Sequence, residues 1–154
     1  MAEIDSDLKR WLTARGQEIA QSLEQHRESI CARVATRLFV EFPSLCLDVS
    51  RPDAVQFQAL AFSQTPARFH RQMQIVLRAQ SLRSMDWEYR WSRRLLARYG
   101  IRQHHLVSAA RWYFEAAASI LAFGETDQRG FGLLEAAVVD LVRASADPAP
   151  PSAV

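Results

Sequence analysis

Turn-forming residues are scarce in this chain: 154 residues include only 5 glycines and 6 prolines. Three of the prolines, Pro148, Pro150 and Pro151, crowd into the last seven residues. A body so poor in turn residues disfavours a sheet of many short strands and favours helices. Cysteine is scarcer still. Cys31 and Cys46 are the only two, and they lack metal-ligand spacing. No secretory leader is readable, so free thiols in a reducing cytoplasm are the expectation. The longest apolar run, around "AAASILAF", is far short of a membrane span, so no membrane partner is expected. Complete catalytic patterns are missing too. There is no nucleophile beside a base, no pair of carboxylates on one face and no glycine-rich phosphate loop. The stretch "GETDQRGFG" has the glycines, but it reads as a loop between helices, with no strand before it. A binding protein is expected, not an enzyme.

What is present is helical periodicity nearly throughout. Leu8, Trp11, Leu12, Ile19 and Leu23 mark a first amphipathic helix, with Ser6 as its N-cap. Ile30, Val34, Leu38 and Phe39 mark a second, stopped by Pro43. "PSLCLDVSRP" reads as a connection with a short helical turn, and Ala54 to Phe62 as a short helix. Thr65 is then expected to cap a helix with Pro66 at its first position and Phe69, Met73, Val76 and Leu77 inside. Ser84 is expected to cap the next, which Gly100 ends. Leu106 to Leu121 forms a long helix ending at Gly124, and Thr126 caps the last one, which buries Leu133, Leu134, Ala137, Val138 and Leu141. The reading is all-α, six to seven helices, one domain over residues 1–146 and a disordered tail over 147–154.

Charge is unevenly spread. The net charge is +2, yet Pro66 to Arg102 holds nine arginines against two acids, Asp86 and Glu88. Of 19 basic residues, only Lys9 is not arginine. The same region contains "SLRSMDWEYRWSRRLLARYGI", the most aromatic stretch of the chain. Trp87, Trp91 and Leu95 recur every four residues and share one helix face. That stripe is either core or dimer interface, or the wall of a pocket for a flat π system. Arg90, Arg94 and Arg98 follow the same spacing beside it, as a solvated face or an anion site. A nucleic-acid partner is not expected, because it requires a wider basic surface than one helix of a nearly neutral chain. His26, His104 and His105 have no metal spacing.

Two segments resemble known proteins. "RLFVEFPSL" and "YGIRQHHLVSAARWYFEAA" resemble the corners of globins, the second most nearly those of bacterial sensor globins. Aligned on Gly100-Ile101, the proximal haem histidine would fall at Leu95 or Leu96, so the resemblance implies a globin-like fold without conventional haem. The run Ser81, Leu82, Arg83, Ser84, Met85, Asp86, Trp87 resembles the pigment-bearing run of phycobiliproteins. There, Ser81 stands where the attachment cysteine would be and Ser84 where an aspartate would bind the pyrrole nitrogens. No covalent cofactor is therefore expected at this site.

Together these features are most similar to the bilin biosynthesis-associated globins, haem-less relatives of phycobiliproteins. That resemblance implies a noncovalent linear tetrapyrrole, or an association with bilin-making enzymes. It implies Trp87, Tyr89 and Trp91 as pocket walls, Arg83 and Arg90 as propionate partners, and Asp86 and His70 as pyrrole contacts. It also implies a homodimer in the cytoplasm. The alternative is a haem-less sensor-globin dimer that acts as an interaction module and holds a fatty acid. A third reading is a haem globin ligated by His70.

Overall fold

A computed structural model describes residues 4–46 and 59–144, and among them every regular element is helical. Helix α1 spans Ser6–Gln25 and buries Leu8, Trp11, Leu12, Ile19 and Leu23. Its N-cap is Asp5, whose carboxylate accepts from the Asp7 N–H at 2.7 Å; Ser6 is already helical. Helix α2, Arg27–Glu41, follows with only His26 between. Ile30, Val34 and Leu38 are buried, but Phe39 is 60% exposed and not part of the inner face. The stripe at 30, 34 and 38 steps by four, and Phe39 lies a third of a turn off it.

Pro43–Cys46 forms the expected short turn, in 3-10 geometry. The expected helix from Ala54 falls largely outside the described residues. Its described end overlaps Ala59–Gln64, a π-helical turn that runs straight into helix α3, Thr65–Ala79. Gln64 therefore already has helical backbone angles, and Thr65 lies inside the helix instead of capping it. Pro66 does occupy the first turn, and Phe69, Met73, Val76 and Leu77 are buried. Helix α4 spans Arg83–Arg98. The hydroxyl of Ser81 accepts from the Arg83 N–H at 3.2 Å, at the place the sequence assigned to Ser84. Ser84 instead donates to the Gln72 side chain at 3.1 Å. Gly100, with φ of 76°, ends the helix.

Helix α5 spans Gln103–Leu121 and α6 spans Glu125–Ala144. The His105 ring reaches back one turn, and its Nδ1 accepts from the Arg102 N–H at 2.9 Å. That is the part glutamate or glutamine takes in a capping box. The left-handed residue after α5 is Ala122, not Gly124, and Thr126 sits within α6 instead of capping it. The C-terminal tail lies outside the described residues.

Two close approaches fix how the helices stack. A Cβ on Gly16 would sit 2.3 Å from the Leu77 carbonyl oxygen, so α1 crosses α3 backbone to backbone. A Cβ on Gly130 would sit 2.2 Å from the Trp11 ring, so α6 receives that indole flat against its backbone. Helix α1 is thus gripped between α3 and α6, while α2 packs on α5 and α5 on α6. Helix α4 leans mainly on α3 and α6, and among the described residues none covers Trp87 and Trp91 on its far side.

Candidate ligand-binding face on the fourth helix

The inner side of α4 buries Met85, Ser92, Arg93 and Leu96. Arg93 is thereby separated from the other arginines of the segment. It is 5% exposed, and its Nη2 donates to the Val142 carbonyl at 3.0 Å near the end of α6. A cation suits that end of a helix, where carbonyls lack intrahelical donors.

The outer side is different. Trp87 is 66% exposed, Trp91 61% and Leu95 38%. The two indoles lie parallel, 7° apart in plane with ring centroids 6.2 Å apart. Arg83, Arg90, Arg94 and Arg98 are exposed on the same side of the helix. Helical spacing interleaves them with the tryptophans: position 94 is two turns from 87, and 98 two turns from 91. Asp86 is bound at the edge of this face by Arg90, 3.2 Å away. Exposed apolar surface of this kind, rimmed by charge, marks an interaction site more often than an isolated exposed side chain does.

The space between α3 and α4 is small. Its cavity measures about 40 Å3 and is lined by Phe69, Gln72, Glu88, Tyr89, Ser92 and Leu96, among others. Gln72 clips the two helices together, donating to Glu88 and accepting from Ser84. One water occupies about 30 Å3 of liquid, and drug-sized ligands fill several hundred. Neither a tetrapyrrole nor an acyl chain fits there. Tyr89 faces this inner side, and burial raises its phenol well above the ordinary value. The expected three-sided aromatic wall therefore divides, with Tyr89 inside and Trp87 and Trp91 outside.

His70 is also apart from the α4 face. It is 3% exposed and hydrogen-bonds side chains of α1 and α5. Its Nε2 is 2.7 Å from Glu24 Oε2 and its Nδ1 is 2.6 Å from the Tyr113 hydroxyl oxygen. A carboxylate only accepts, so Nε2 carries the hydrogen, and in the neutral ring Nδ1 then accepts from Tyr113. The hydrogen bond from His70 holds the Glu24 carboxyl below its usual range, and burial drives the Tyr113 phenol well above its own. With both nitrogens committed away from the α3–α4 gap, His70 offers neither to a pyrrole nor to an iron in that gap. Nothing in the spacing of these residues announces the trio, because positions 24, 70 and 113 lie on three separate helices.

The remaining predicted positions fall in ordinary places. Cys31 is half-buried, and burial raises its thiol. Among the described residues no group of three His, Cys, Asp or Glu side chains converges as a metal site, and no helix is long and apolar enough to cross a membrane. No family model, curated protein or solved structure matches this chain.

Proposed function

We propose that this chain is a non-enzymatic, haem-less globin-like protein that binds a linear tetrapyrrole noncovalently on the outer face of α4. The observation that carries this reading is the parallel, exposed Trp87–Trp91 pair set among four exposed arginines. A linear tetrapyrrole is a broad apolar π system with two propionates. The indoles supply stacking area and the guanidinium groups supply fork-shaped partners for each carboxylate. Arg83, Arg90 and Arg94 are the propionate partners in this reading, and Asp86 holds Arg90 in place. The arrangement is a surface platform and not an enclosed pocket, which accords with noncovalent, reversible binding.

The interaction-module reading has an observation of its own. Phe39 and Val40, at the end of α2, are 60% and 66% exposed. That surface suits a protein partner or a second copy of the chain. The α4 face suits a second copy less well, because pairing it with itself would set four arginines against four.

Titration with biliverdin, followed by visible absorbance, tests the tetrapyrrole reading. The native chain should give a saturable change, and Trp87→Ala/Trp91→Ala should weaken it at least tenfold, about 1.4 kcal/mol. No spectral change and no heat of binding at about 50 µM would overturn it.

A further inference from the structure

A second charged surface lies at the junction of α1, α2 and α3. It is an open cleft of about 460 Å3 whose lining includes Arg27, Arg68, Arg71, Glu24, His70 and Gln74. Glu24 supplies the carboxylate of that lining, and it is already engaged by the buried His70 at 2.7 Å. The depressed Glu24 ionisation follows from that bond first and from nearby Arg27 and Arg78 only afterwards. Among the described residues, none of the three cleft arginines has a carboxylate within salt-bridge distance. Gln74 is tied down as well, donating to the Ala20 carbonyl at 2.8 Å. Among the described residues three arginines and one carboxylate, already held by His70, therefore line the cleft, an excess of two positive charges; Arg68 also lines the α3–α4 cavity.

We propose that this cleft binds a compact dianion of the phosphate class. Two negative charges would neutralise the excess. Arg68 and Arg71 stand three residues apart on α3, so they project from one face, and Arg27 approaches from the start of α2. Donors carried on two helices that line one cleft suit a tetrahedral group, whose oxygens accept in three directions, better than a planar carboxylate. Guanidinium forks match phosphate oxygens in pairs. Two of the lining residues, Glu24 and His70, are hydrogen-bonded to each other, and Tyr113 holds His70 from outside the cleft. The site shares no residue with the α4 face, so it stands or falls independently of the tetrapyrrole reading.

The test is calorimetric titration of the full chain with inorganic phosphate, at a pH above its second ionisation and at constant ionic strength. The expected result is saturable binding with one site per chain. Arg68→Gln/Arg71→Gln should lose at least about tenfold in affinity, whereas Arg111→Gln, an exposed arginine of α5 outside the cleft, should lose none. Arg71→Lys keeps the charge without the fork and should fall between them; it also carries the test if the double variant fails to fold. The proposal is overturned by any of three results: no saturable heat below about 10 mM, equal affinity in native and Arg71→Lys chains, or an equal loss in Arg111→Gln.

Discussion

Trp11 and the Trp87–Trp91 pair set the same side chain in opposite situations. Trp11 is 7% exposed, lies against Gly130, and donates its indole N–H to Asp127 at 3.0 Å. Asp127 is held in turn by Arg15, through Nε at 3.1 Å and Nη2 at 3.0 Å. Trp87 and Trp91 are each more than half exposed and stack on one another. The difference lies in the helices and not in the residues. Helix α1 is gripped between α3 and α6, so an indole on its inner stripe is enclosed. Helix α4 is covered on one side only, and its tryptophans stand on the other. An indole satisfied in its core position stabilises the fold, and one held out in solvent has its use in a contact.

Four substitutions break or sharpen that contrast, from the largest effect to the smallest. Trp11→Ala removes a buried indole and one of the donors to Asp127, and should cost about 3–5 kcal/mol in urea unfolding. A loss near zero would put Trp11 in the same class as Trp87. His70→Ala leaves the buried Tyr113 hydroxyl without its acceptor and should cost about 1–3 kcal/mol by the same measurement, with biliverdin binding unchanged. If it instead abolished that binding, His70 would belong with the α4 face after all.

The third substitution is read through pH. The Arg15 guanidinium, with the Trp11 N–H assisting, holds the Asp127 carboxyl below the ordinary carboxylate range. Its stabilising contribution is therefore complete above the unfolded value, near pH 4, and is lost as pH falls through the lower folded value. Asp127→Asn should flatten the acid limb of a stability profile measured below about pH 4. An unchanged limb would show that the Trp11–Asp127–Arg15 cluster adds little. The smallest effect is expected at Trp87→Ala, which should alter thermal stability by no more than about 0.5 kcal/mol. A larger loss would mean that the α4 pair is structural.

Much of the inner face of each helix was legible from spacing alone. Phe69, Met73, Val76 and Leu77 are buried as the four-residue pattern required, and so are Leu134, Val138 and Leu141. Phe39 misled because an apolar residue beside a stripe looks like one within it. Helix starts were less legible. Ser6, Thr65, Ser84 and Thr126 all had the right chemistry for a cap, but the backbone had already entered the helix or another group had met the free N–H. The arginines of α4 could be placed in a stripe, but the inward turn of Arg93 to Val142 could not, since its acceptor is 49 residues away.

The sequence by itself determined an all-helical chain, the inner stripes of its helices and the concentration of arginine and tryptophan on α4. Those features depend on periodicities of three and four residues, which belong to the local backbone. Only the tertiary structure decided which stripe is covered. It closed the gap between α3 and α4 with Gln72, turned His70 toward Glu24 and Tyr113, and left Trp87 and Trp91 outside. Each of those outcomes depends on which helices meet, and that is settled by contacts between residues far apart in the chain.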